Sequence, residues 1–161
     1  MLLASLSAAA SRHGLLVRGG FRPTAEDGVP ALPDGRNAAT LMLIGNAGSA
    51  MWRAFRAAPE RSRSDDPLDA WTRRIVSELA GRLGALPLFP FDGPPYWPFQ
   101  RWAQRAESVF PSPLGILIHP EHGLWHAYRA ALVFAERIDL PPRAAAAAAR
   151  PRLADGSRRA G

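Results

Sequence analysis

The chain has 161 residues, 47% of them hydrophobic, enough for one domain of ordinary size with a real core. It contains no cysteine, which excludes disulfides, thiolate zinc sites, cysteine nucleophiles and iron–sulfur ligation by its own thiolates. All 20 basic residues are Arg; residues 141–161 carry five of them and one Asp, a net of +4, while residues 1–140 set fifteen Arg against thirteen acidic side chains, a net of +2.

The near balance of residues 1–140 argues against a nucleic-acid surface. The Arg-rich end reads as an unfolded tail with incidental charge rather than a counterion-releasing arm. No segment reaches the roughly 18 apolar residues that span a bilayer. Met1 to Ala10 is apolar, but no positive region precedes it, and Arg12 and His13 follow on the wrong side for a signal peptide. The expected location is the cytoplasm, with no membrane partner.

Leu2, Leu3, Leu6, Ala9 and Ala10 suit one face of a short helix starting near Ser5 or Ser7 and ending by Gly14. Leu15 to Phe21 reads as a strand, and the Pro-, Gly- and Asp-rich residues 22–37 as a loop. Thr40 to Gly45 is a nearly unbroken apolar run, the pattern of a strand buried on both faces. Asn46-Ala47-Gly48-Ser49 turns the chain, with Ser49 as helix cap before Met51, Trp52, Phe55 and Arg56. This turn is neither a dinucleotide fingerprint nor a P-loop, since its glycines are misplaced and no Lys follows.

Asp66-Pro67 opens the clearest helix, with Leu68, Trp71, Ile75, Leu79 and Leu83 on one face and Gly84 as its stop. Ala85 to Phe91 is a short strand, Gly93 to Pro98 a stiff aromatic turn, and Phe99 to Val109 a helix. Gly115 to His119 and Leu124 to Phe134 complete the strands. Alternating strands and helices predict an α/β domain over residues 1–140, a mixed sheet flanked by helices. Residues 141–161, with six successive alanines from Ala144 to Ala149, cannot bury enough surface to order themselves and are expected to be disordered.

Two groups of residues carry chemistry. His119, His122 and His126 form H-x2-H-x3-H with Glu121 between them. Pro120 and Gly123 forbid one helix through the motif, and no carboxylate constellation accompanies it. The expectation is therefore a histidine-rich turn at a strand end, hydrogen-bonded to its neighbours, with no metal. Of the five Trp, Trp71 and Trp102 fall on helical faces as core. Tyr96, Trp97, Phe99, Trp125 and Tyr128 offer flat walls for a planar ligand such as a flavin or corrinoid. No catalytic array of Ser, His and Asp or of paired carboxylates stands out.

Several collinear segments also carry a resemblance. They are Leu43-Ile44-Gly45-Asn46-Ala47-Gly48-Ser49 with Trp52, Asp66-Pro67-Leu68-Asp69-Ala70-Trp71, Phe89-Pro90-Phe91-Asp92-Gly93-Pro94-Pro95-Tyr96, Phe99-Gln100-Arg101-Trp102-Ala103, Ser112 to Pro120, and Gly123 to Arg129. Over residues 2–142 the chain resembles the N-terminal region of proteobacterial ferredoxin-type proteins. More distantly it is similar to epoxyqueuosine reductase and to cobalamin-processing, nitroreductase-like domains. The resemblance implies a nitroreductase-like sheet and a C-terminal continuation with cysteine-rich four-iron cluster motifs. Where those cysteines are expected, after Leu140-Pro141-Pro142, the chain becomes rich in Ala and Arg, as a frameshifted or truncated reading frame would.

On this reading the chain does not transfer electrons alone and has no independent activity. Its ligand residues are Tyr96, Trp97, Phe99, His119, Trp125, His126, Tyr128 and Arg129. A sheet domain parted from its C-terminal partner is expected to expose an apolar face and to self-associate.

Overall fold

The computed structural model describes residues 1–140 and 143; the tail expected to be disordered lies otherwise outside the described residues. Among the described residues, four α-helices flank a four-stranded sheet: α1 (Leu2–Ser11), α2 (Ala50–Arg56), α3 (Pro67–Leu83) and α4 (Phe99–Ala106). The sheet has the order β1-β2-β6-β3, built from β1 (Leu16–Phe21), β2 (Thr40–Ala47), β3 (Leu86–Leu88) and β6 (His126–Phe134). A two-stranded hairpin, β4 (Phe110–Pro111) with β5 (Leu117–Ile118), stands apart.

The fold is thus mixed α and β, but the sheet is not mixed. Its three strand pairs are all antiparallel. Alternation of strands and helices along the chain predicts layers, yet does not fix strand direction. Here β6 returns between β2 and β3, antiparallel to both.

The sheet separates two apolar layers. Met42 and Ile44 of β2, with Ala130, Leu132 and Phe134 of β6, pack against Leu6 of α1, Met51 and Phe55 of α2, and Trp71, Ile75 and Leu79 of α3. Leu41 and Leu43, with Ala131 and Val133, pack on the other side against Phe99, Trp102, Ala103 and Ala106 of α4. This explains the unbroken apolar run in β2: both of its faces are covered. In α4 the buried positions recur at three- and four-residue spacing, and Arg101, Gln104 and Arg105 face outward.

Element bounds differ modestly from the sequence expectation. Helix α1 begins at Leu2, so Ser5 and Ser7 lie inside it. Asp66 and Ser49 hold the N-cap positions of α3 and α2, but neither side chain makes a capping hydrogen bond. Gly84 does close α3, at φ 66. Helix α4 stops at Ala106 rather than running to Val109, and Ala85 to Phe91 contributes only Leu86–Leu88 to the sheet.

Asp27 ties the 22–37 loop to α4. Its carboxylate accepts from Arg105 Nη1 at 2.7 and 2.9 Å and from the Thr24 backbone N–H at 2.7 Å. Its carbonyl accepts from buried Trp102 Nε1 at 2.8 Å. Trp102→Phe removes that donor and leaves a small void, so a loss of about 1–2 kcal/mol is expected from the urea midpoint. An unchanged midpoint would mean that Arg101, which also donates to this carbonyl at 3.2 Å, suffices.

Candidate functional site

Two bulges flank the centre of β2 and build the site. Between Val17 and Gly20 the β1 register slips, and between Ile44 and Gly45 the β6 register slips at Arg129. A bulge inserts a residue and switches which face the following side chains occupy. Tyr128 therefore packs on the α4 layer together with Ala131 and Val133. Gly45 pairs with Leu16 on β1 and Tyr128 on β6, just past both bulges; a Cβ there would collide with the Ala127 carbonyl and come within 3.1 Å of Arg18 Cγ. The absent side chain is what lets Arg18 cross β2.

Arg18 is the hub. Its side chain is only 4% exposed, and Nη2 lies 2.8 Å from Glu107 Oε1, beyond the end of α4. Nη1 donates to the Asn46 carbonyl at 3.2 Å, and the guanidinium lies 4.8 Å from the Tyr128 ring centroid. Tyr128 Oη donates to the same Glu107 oxygen at 2.6 Å. Burial first, and then the Glu107 hydrogen bond, push this phenol above its ordinary range. Tyr128 is thus a proton donor that stays protonated.

The ring tautomers follow from the partners. Arg18 Nη2 contacts His126 Nδ1 at 3.2 Å, and an Arg has only donors, so Nδ1 is the acceptor. His126 Nε2 then carries the hydrogen and donates to the Leu117 carbonyl at 2.9 Å. His119 Nδ1 accepts from the backbone N–H groups of Glu121 and His122, at 3.1 and 3.2 Å. Its Nε2–H therefore faces Glu107 Oε2, 3.8 Å away. Burial is the largest cause lowering the proton affinity of both rings. His122 stacks on His119 at 4.6 Å between centroids. With both nitrogens of His126 engaged, the three rings do not converge on one point. Among the described residues, no group of three or more His, Asp or Glu is placed to hold a metal ion.

This network floors a cleft of about 330 Å³. One wall is β1 from Leu16 to Gly19, another is Ala106 and Glu107, and the third is His119, Glu121 and His122. Arg143 closes one side and donates to the Glu107 carbonyl at 3.1 Å.

Of the residues singled out from the sequence, His119 lines the cleft, and His126 and Tyr128 lie behind it in the same network. Arg129 is half-buried and donates to Asn46 Oδ1 at 2.9 Å; Asn46 thus serves both arginines. The aromatic turn does not join this site. Phe99 is core, Trp97 stacks on Trp102 at 6.1 Å, and neither lines the cleft. Tyr96 and Trp125 are 64% and 65% exposed. Sequence reasoning misses Arg18 and Glu107; the only local signal is a lone Arg inside an apolar strand, followed by two glycines.

The fold and site define a mixed α/β protein with an antiparallel sheet and a histidine-walled cleft at the edge of that sheet. No family model matches the chain, and no curated protein matches it. Among the described residues, no helix is long and apolar enough to cross a membrane.

Proposed function

We propose that this chain is the ligand-holding α/β unit of a ferredoxin-type redox protein of nitroreductase-like fold, and that the cleft beside β1 is its ligand site. One observation carries the reading. Three of the segments with the family resemblance, Leu43–Ser49, Ser112–Pro120 and Gly123–Arg129, supply Asn46, His119, His126 and Tyr128 to a single buried network under one cleft. The chain has no thiolate for a four-iron cluster, so electron transfer depends on cysteines supplied elsewhere. On this reading the unit is cytoplasmic and has no activity of its own, and it binds neither nucleic acid nor membrane.

A second reading, a planar-ligand binder in its own right, rests on the size and walls of the cleft. Its volume lies at the lower end of the roughly 300–1,000 Å³ range of small-molecule pockets. That room suits one fused ring system such as a flavin, with a larger corrinoid resting across the mouth. The stacked imidazoles of His119 and His122 replace Tyr96 and Trp97 as the flat surface offered to the ring.

The test is absorbance of the purified full chain after incubation with flavin mononucleotide or hydroxocobalamin and desalting. Retained colour, lost in His122→Ala, is the expected result for a binding site in the cleft. A colourless wild-type chain would remove the planar-ligand reading and leave the redox-scaffold reading alone. We also propose that the chain self-associates; exposed Leu114, Ile116, Leu124 and Trp125 support this. A purely monomeric species in sedimentation at all concentrations would count against it.

A further inference from the structure

The His119–Gly123 turn forms one wall of the cleft, yet little apolar contact holds it. Pro120, Glu121, His122, Leu124 and Trp125 are all exposed. The turn is closed by paired backbone bonds between His119 and Gly123, 2.9 Å each way, and by His119 Nδ1, which gathers the N–H groups of Glu121 and His122. Its far end is fixed where Gly48 N–H donates to the Trp125 carbonyl at 3.2 Å.

We propose that His119 is a pH-sensitive latch: unprotonated Nδ1 holds this turn shut against the cleft, and protonation of Nδ1 releases the turn and opens that wall.

The geometry allows the proton no other place. Nε2 already carries a hydrogen toward Glu107, so an added proton goes to Nδ1, and there it confronts two backbone donors. An acceptor serving two N–H groups becomes a donor, and both groups lose their partner at once.

The neighbours pull in both directions. Glu107, past the end of α4, favours the charged ring, while Arg18 of β1 and the rings of His122 and His126 oppose it. Tyr128 of β6 lies beyond His126 with its hydroxyl committed to Glu107, Glu121 belongs to the turn itself, and Arg143 stands across the cleft. Desolvation is the largest cause, and the closed turn therefore binds the proton less readily than the open one. Closure is complete above the ordinary histidine value of 6.5 and weakens as pH falls from there toward the lowered value of the closed state. The latch thus yields in mild acid. His126, also held neutral, anchors Leu117 of β5 instead.

Amide hydrogen exchange on the full chain, followed by NMR, tests this. After correction for intrinsic exchange, protection of the Glu121 and His122 amides is expected to fall about three- to tenfold between pH 7.5 and pH 5. Amides of β2 are expected to keep theirs. In His119→Asn the side-chain oxygen takes the place of Nδ1 as a turn acceptor but binds no proton in this range. Its protection should be the same at both pH values. Equal wild-type protection at the two pH values, or an equal fall in His119→Asn, would overturn the proposal. Should His119→Asn fail to fold, the His119 ring titration in the wild type decides. A midpoint shared with the two amides supports the latch, and a separate midpoint overturns it.

Discussion

Arg18→Ala is expected to destabilise the chain by about 3 kcal/mol, a fall of roughly 10 °C in melting temperature for a domain of this size. The cost lies less in the attraction removed than in what stays behind. Glu107 is only 18% exposed and loses its 2.8 Å partner. The Asn46 carbonyl loses a donor, and so does His126 Nδ1. A buried charge pair is worth little against an apolar replacement of the same volume, but a pair with one partner deleted is expensive. The double variant Arg18→Met, Glu107→Leu is therefore expected to recover the part of the loss owed to the stranded Glu107 charge, while the Asn46 carbonyl and His126 Nδ1 still lack the Arg18 donor and the Tyr128 hydroxyl loses its acceptor. Thermal unfolding of the wild type, the single and the double variant decides the point. A single variant within about 1 kcal/mol of wild type would show that water reaches Glu107 freely.

Gly45→Ala is expected to be comparably severe, at about 3 kcal/mol, for a steric reason. Gly45 lies in β2 next to both bulges, and the new methyl group would meet the Ala127 carbonyl on β6 and the Arg18 side chain on β1. The first obstacle is backbone and cannot rotate aside. Relief requires β2 and β6 to part where they pair, with Arg18 giving way as well, and this disturbs the network with Glu107. In contrast, Gly81→Ala, on α3 with open space around its Cβ position, should stabilise slightly. Denaturant midpoints of the two variants should move in opposite directions, and a common direction would remove the packing argument.

Much of the fold is legible in the residues. The run from Leu41 to Ile44 reads as a strand covered on both faces, and that is how it packs. Pro67 to Gly84 reads as a capped amphipathic helix, and Trp71, Ile75 and Leu79 are buried. Strand direction is not legible, because the antiparallel return of β6 is decided by contacts distant in sequence.

The site is legible only in part. The clustering of His119, His122 and His126 is visible as a motif, but its chemistry is set by partners on other elements. A bulge leaves no mark in a period-two pattern, so nothing local announces that Tyr128 turns toward α4 or that Arg18 reaches Glu107. The aromatic residues fall elsewhere for the opposite reason. Trp97 and Phe99 look like a ligand wall in sequence, whereas the amphipathic face of α4 draws Phe99 into the core and Trp97 onto Trp102.

The central claim is that the cleft between β1, Glu107 and the His119–Gly123 turn, rather than the aromatic turn, receives the ligand. Backbone amide shifts of the full chain, recorded by NMR while flavin mononucleotide is added, test it most directly. The account predicts saturable changes at Leu16–Gly19, Glu107 and His119–His122, with Tyr96, Trp97 and Phe99 unmoved. Saturable changes confined to Tyr96–Phe99, with β1 and His119 silent, would contradict it.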